Sequence, residues 1–274
     1  MKNFEDLLQA CDPVLFQGVY SQLEPGDMRS ILALQNVIRE RGKTYTYLEI
    51  GSYMGGSIQT HLLDPRCTRI YSIDNRPYTP SDGRGRDLPY PHNSTSLMLK
   101  NLEAIGPQEV TKVTCLEATA SEVNRSSITE RPDFCFIDGE HTEEAVIADF
   151  ALCRTVLQDG GIICFHDSNI VFGGIHTIID GLKREGVVFS ACILPFTVFV
   201  IELGSDLVRK DPRIVSQILD NHTAYIGGLE LMEHYRDVFN SRPVKALRFV
   251  HRRLLEIQKP SLILARLREI LLKS

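Results

Sequence analysis

The chain has 274 residues, 43% of them hydrophobic, enough to bury a full core as one large α/β domain or a domain with an appendage. A net charge of −5 gives no global case for nucleic-acid binding, so no nucleic-acid partner is expected. Seven scattered cysteines without a C-x-x-C pair argue against a disulfide framework and for a reducing compartment. Charge is unevenly spread: 17 Lys+Arg against 27 Asp+Glu up to Gly204, then 13 against 8 from Ser205.

In chain order, "MKNFEDLLQACDP" is too acidic and too interrupted for a signal peptide, and no apolar run reaches membrane-spanning length, so a cytoplasmic protein is expected. Residues up to about Glu40 read as helical, with a break at Glu24–Asp27 that restarts a helix on Leu32, Leu34, Val37 and Ile38. Strand-like runs follow: "TYTYLEIGS", "TRIYSIDN", "VTKVTCLEA", "DFCFIDGE" and "GGIICFHD". Segments of helical length, "SLMLKNLEAI" and "EEAVIADFALCRTVL", lie among them. Nearly continuous apolar strands suit a parallel sheet covered on both faces, and the alternation predicts a doubly wound α/β fold. Cys115, Cys135 and Cys164 sit inside such runs as small hydrophobes. After a helix near Gly174–Glu185, "VVFSACIL" and "FTVFVIEL" are separated by Pro195 alone, too short for a crossover helix, so they must be antiparallel.

The first strand runs into a glycine turn, "YLEIGSYMGG", in which Gly51 and Gly55 are spaced G-x-x-x-G behind Glu49. A dinucleotide turn brings backbone N–H groups up to a pyrophosphate and carries G-x-G-x-x-G instead. A mostly parallel, seven-stranded Rossmann-like sheet closed by a late antiparallel hairpin resembles the class I S-adenosylmethionine-dependent methyltransferases. S-adenosylmethionine has no phosphate; its methionine end is an ammonium and a carboxylate, for which an acidic residue and close-approaching backbone are suited. Glu49, Gly51, Ser52, Tyr53, Gly55 and Ser57 are therefore the candidate cofactor turn. An ordinary tight β-to-α turn is the bland alternative. Asp74 and Asn75 end the second strand, where a carboxylate can accept two hydrogen bonds from a ribose diol; loop or helix capping is the alternative. Ala118 and Thr119, at the third strand's exit, are expected near adenine, although the Gly-Asp pair familiar there is absent.

Asp133–Asn169 carries the most specific signal. Two strands each end in an aspartate, Asp138 and Asp167, on the same sheet edge, where the ligands of open α/β sheets bind. Two converging carboxylates need a shared metal or proton. His141, three residues past Asp138, is placed to act as general base on an acceptor hydroxyl. "F-I-D-G-E-H", a helix, then "L-x-x-G-G-I-I-x-x-H-D" resembles the family of macrolide-sugar O-methyltransferases and cephalosporin hydroxylase-like proteins, a cousin of the catechol and caffeoyl-coenzyme A O-methyltransferases. The resemblance covers about Tyr47–Leu203. It implies O-methyl transfer to a small-molecule hydroxyl, of a sugar or glycosylated metabolite, in natural product biosynthesis, with His141 as base and Mg²⁺ on Asp138 and Asp167. The chain departs at the third ligand: it has His166-Asp167-Ser168-Asn169, and Mg²⁺ prefers oxygen, so Asn169 or Glu140 would have to serve. A metal-free site in which His141 or His166 works alone stays open. Asp138 and His141 also have a bland reading, as caps of the following helix, and His166 another, as a strand-end histidine satisfied by backbone. Asp149 is expected to face solvent or a neighbouring cation. His61, His92, His176 and His222 show no partner pattern.

The loop Asn75–Asn93 is long for its position; its Tyr78, Arg84, Arg86, Tyr90 and His92 are expected to meet the acceptor. From Arg242 the tail holds nine Lys+Arg against two Asp+Glu on an amphipathic pattern broken at Pro260. Docking on the acidic domain or pairing with a second subunit, as a homo-oligomer, is favoured there over membrane contact. The expected organisation is a helical cap over 1–43, a cofactor-binding domain over 44–204 and a basic helical extension over 205–274. Rival classes are an NAD-dependent oxidoreductase and a non-catalytic scaffold anchored by its tail.

Overall fold

Every strand exit that sequence places at the site ends on one row of the sheet, and the register shows why. The computed structural model describes residues 3–76, 90, 92–216, 241–243 and 246–247. Strands β1 (Tyr45–Ile50), β2 (Cys67–Ile73), β3 (Val113–Leu116), β4 (Phe134–Ile137) and β5 (Ile162–Phe165) are parallel. Ile50 pairs with both Ile73 and Ile137, Ile73 with Leu116, and Ile137 with Phe165. Gly51, Asp74, Asp138 and His166 therefore leave the sheet side by side. Each next residue is tied to its neighbour strand: Gly51 N donates to Ile73 O at 2.8 Å and Asp138 N to Ile50 O at 2.8 Å.

The sheet order is β3-β2-β1-β4-β5-β7-β6. β6 (Phe189–Ile193) pairs antiparallel with β7 (Phe199–Leu203), and β7 pairs antiparallel with β5. This is the doubly wound sheet with a terminal hairpin that the short Pro195 connection requires. Strand order reverses between β1 and β4, the crevice where ligands of open α/β sheets bind. The third strand is shorter than its apolar run, because Glu109–Lys112 forms a 3₁₀ turn ahead of it.

Two apolar layers sandwich the sheet. On one face α2 (Pro25–Arg41), α3 (Gln59–Leu63) and α4 (Thr95–Ile105), together with α1 (Phe4–Gln9), pack on Tyr47, Phe134, Phe136, Ile162 and Cys164. On the other, α5 (Glu143–Val156) and α6 (Phe172–Arg184) pack on Leu48, Ile50, Cys135, Ile137 and Phe165. Each fully buried Leu or Ile side chain contributes about 1.5–3 kcal/mol. Pro25 starts α2 at a position that needs no N–H partner, as the "EPGD" break predicts. α2 also buries Ser30, Gln35, Asn36 and Arg39: towards α1, Asn36 donates to Leu8 O and Arg39 pairs with Glu5, while on the other side Arg39 pairs with Asp64 and Gln35 donates to Tyr45 Oη and Asp64 Oδ2. His61 lies in this layer, fully buried and stacked on Tyr47. All seven cysteines are free.

Contacts divide the chain into Met1–Tyr225 and Ile226–Ser274. The first unit holds the sheet and all helices named above; in the second, residues 242–243 and 246–247 are helical. Most of the basic tail, with His222 and Pro260, lies outside the described residues, as do Tyr78, Arg84 and Arg86. Among the described residues no helix is long and apolar enough to cross a membrane.

Candidate active site

The β1 exit forms a turn that only glycine permits. Gly51 has φ 89°, and a Cβ there would lie 2.0 Å from Asp138 O. The turn therefore presses directly against the exit of β4. Gly55 has φ 86° and packs on Met98 and Leu102, away from the cavity. The residue that clears space at the cavity is Gly56, whose missing Cβ would meet Tyr20 O at 2.3 Å. The chain before α2 is thereby brought onto the turn.

A cavity of about 660 Å³ runs along this edge, within the range of small-molecule sites. Gly51, Ser52, Tyr53, Ser57, Asp74, Asn75, Ala118, Thr119, Asp138, His141, His166 and Asp167 all line it. Glu49, Gly55 and Asn169 are not among its lining residues. Glu49 lies beneath the turn, fully buried, accepting from Tyr47 Oη at 2.6 Å and Ser57 Oγ at 2.7 Å. Burial pushes its carboxyl up to about 7, against the pull of those two hydroxyls. Asp74 accepts from Tyr53 N at 2.8 Å and pairs with Arg76 at 3.3 Å. Arg76 in turn donates to Asn93 Oδ1, Thr95 Oγ1 and Tyr53 O, so one buried guanidinium ties the β2 exit, the glycine turn and the start of α4. Tyr90 closes edge-on to Tyr53, ring centroids 5.1 Å apart, and lines the cavity; His92 does not.

The other half of the cavity is a chain of carboxylates and imidazoles. His166 Nδ1 is 2.9 Å from Asp138 Oδ1, and its Nε2 is 3.4 Å from Asp27 Oδ2. His141 Nε2 lies 3.3 Å from Asp167 Oδ2 and 3.7 Å from Asp138 Oδ1. Asp167 has φ 48°, a left-handed conformation rare outside glycine, asparagine and aspartate, which turns its carboxylate to this cluster. Burial opposes charge on His166, but Asp138, Asp27 and Asp167 outweigh it and raise its pKa well above the ordinary value. Burial likewise opposes charge on His141, and Asp138 and Asp167 again prevail and raise it. Asp138 is driven the other way: burial favours its neutral form, and the two histidines overcome that to hold it at about 2.

Asp27 was not legible as a site residue. In sequence it is only an acidic first-turn residue of α2, and nothing local signals its contact with His166 or with Thr197 N and Oγ1 at 2.9 and 3.1 Å. Asp149 corrects a sequence expectation. It does not face solvent: it is 6% exposed, lines the cavity, and its Oδ2 has no hydrogen-bond partner. A signal existed, since Asp149 shares a helical face with the buried Val146 and Cys153.

Among the described residues, the donor atoms that converge within 4.8 Å for a metal belong to Asp138, His141 and Asp167. Asn169 Oδ1 is buried without a hydrogen-bond partner.

Residues 48–168 match the model of a family described as a methyltransferase domain. That stretch runs from the middle of β1 past Asp167, so it carries the turn, both aspartates and both histidines of the cluster. These residues are thus similar to a methyltransferase domain. The chain is also 27% identical over 122 residues to an uncharacterized protein of Acanthamoeba polyphaga mimivirus, covering 44% of this chain and 51% of that one, so it spans about half of that relative's length. Among solved structures it is similar to an O-methyltransferase from Bacillus cereus in complex with SAH, at 16% identity, TM-score 0.45 and coverage of 74% of this chain and 91% of that one. It is likewise similar to MycE, a methyltransferase of the mycinamycin biosynthetic pathway in complex with Mg, SAH and mycinamycin VI, at 15% identity, TM-score 0.46 and coverage of 72% and 54%.

Proposed function

We propose that the chain transfers the sulfonium methyl of S-adenosylmethionine to a hydroxyl of a small molecule, a sugar or glycosylated metabolite. The observation that carries this reading is a single cavity with two ends: the Gly51 turn and Asp74 at one, and the Asp138–His141–His166–Asp167 cluster at the other. The first suits a nucleoside with an amino-acid arm, and the second suits removal of a proton. Bound there, S-adenosylmethionine supplies an electrophilic methyl group next to a proton acceptor.

The chain's own residues do the rest. The backbone of Gly51–Tyr53 and the Asp74 carboxylate hold the cofactor, and Ala118 and Thr119 flank its base. His141 Nε2 takes the acceptor's proton, and the nearby Asp167 and Asp138 stabilise the imidazolium that forms. His166, gripped by Asp138 and Asp27, stays charged and keeps Asp138 ionised. Holding acceptor oxygen and methyl in line supplies most of the acceleration.

The converging donors do not fit Mg²⁺. One of the three is an imidazole, Asp138 Oδ1 is already engaged by His166, and Mg²⁺ requires near-ideal octahedral oxygen coordination.

The test is His141→Ala. Turnover with an accepted substrate should fall about 10²–10⁴-fold while affinity for S-adenosylhomocysteine stays within about threefold. Equal losses in both would make His141 a structural residue.

A further inference from the structure

Asp149 is a buried acid to which neither the fold nor the proposed proton transfer gives a task. It projects from α5 on the face that also carries Ala145 and Ala148, and all three line the cavity. Gly139 closes over it: a Cβ there would stand 3.2 Å from Asp149 Oδ2 and 3.3 Å from Ile50 Cγ2. Residue 139 must therefore stay small for this carboxyl to keep its place. Its Oδ2 has no hydrogen-bond partner, and no cation acts on it. Burial, then the charge of Glu140, pushes the carboxyl up to about 7. Leaving a buried polar group unpaired costs about 1–3 kcal/mol. Asp149 lines the cavity, and a turn of its carboxyl about the soft χ2 torsion presents an oxygen there, so that cost points to a partner on the ligand.

The surroundings define what that partner is. Ala118, Ala120, Ala145 and Ala148 line the same cavity and keep its walls low here, which suits a flat heterocycle. Asp74 leaves β2, and Ala118–Ser121 follow β3, the next strand outward. A nucleoside whose ribose sits at Asp74 places its base among these alanines. Among the described residues the buried acid lining that stretch is Asp149, and a carboxyl oxygen accepts hydrogen bonds whether or not the group is ionised.

We propose that Asp149 reads the base of the bound nucleoside by accepting a hydrogen bond from the 6-amino group of adenine. The assignment rests on the S-adenosylmethionine reading above and extends it to a residue that selects among purines. An analogue without that amino group leaves Asp149 without a partner. A site built to hydrogen-bond a ligand rejects the analogue that lacks the group.

The experiment is calorimetric titration of the full chain with S-adenosylhomocysteine and with its analogue carrying hydrogen in place of the 6-amino group. Wild type should bind the analogue at least about tenfold more weakly. Asp149→Ala should bring the two ligands to within about twofold of each other, whereas Asp149→Asn, which keeps an oxygen acceptor, should retain the preference. Equal affinities in wild type overturn the assignment without need of any variant. So does a preference that survives in Asp149→Ala. Failure of wild type to bind either ligand is a different result: it removes the cofactor reading on which the assignment rests.

Discussion

Replacing Asp149 by asparagine should stabilise the protein in a pH-dependent way that needs no ligand to observe. In the unfolded chain this aspartate loses its proton near 3.8, whereas in the fold burial holds the proton until about 7. Between those values the native state binds more protons than the unfolded one, so stability falls as pH rises. The slope is about 1.4 kcal/mol per pH unit for one group, and from pH 5 to pH 8 about two units of it apply, giving a loss of about 2–3 kcal/mol. Asparagine occupies the same volume and mimics the protonated acid, and it carries no such dependence. The advantage of Asp149→Asn over wild type should therefore grow by about 2–3 kcal/mol between pH 5 and pH 8. In a unit of this size that is about 5–10 °C in Tm. Thermal melts of both proteins at the two pH values, read as the difference between them, cancel the similar contribution of Glu49. A difference that stays constant with pH would refute the burial argument, and a difference of opposite sign would mean that Asp149 has a cationic partner.

Gly51→Ala should abolish cofactor binding and destabilise the fold by several kcal/mol, because its Cβ would meet Asp138 O at 2.0 Å and its φ is 89°; an alanine variant that melts and binds like wild type would show that the turn is not packed on β4. Asp27→Asn keeps an acceptor for Thr197 but removes one of the carboxylates on His166, so turnover should drop at least about tenfold with a Tm change of only a few degrees. Unchanged kcat would make Asp27 a tether of the hairpin alone. Arg76→Ala should weaken S-adenosylhomocysteine binding about tenfold or more by freeing Asp74 and the loop ends, while leaving the His141 region intact; an unaltered Kd contradicts that link.

What could be read from sequence was whatever has a local cause. The late hairpin followed from one proline between two apolar runs, the parallel sheet from strands apolar throughout, and the sharing of one edge by Asp74, Asp138 and Asp167 from their places at strand ends. Asp27 and Arg76 were beyond reach, because each acts through partners brought close only by the tertiary fold: His166 and Thr197 for the first, Asn93 and Tyr53 for the second. Glu49 shows a subtler limit. An acid ahead of a glycine turn pointed to direct contact with the cofactor, but Tyr47 and Ser57 occupy both its oxygens below the cavity floor. Asp149 is legible in principle, from the apolar neighbours Val146 and Cys153 on its helical face.

The most direct test of the central claim is calorimetric titration of the full chain with S-adenosylhomocysteine, once with Mg²⁺ and once with EDTA. The cavity and turn predict micromolar-range binding in both conditions, with little difference between them because the converging donors do not fit Mg²⁺. Absence of binding in both would contradict the methyltransferase reading and leave a nucleotide-type cavity whose ligand must be sought elsewhere.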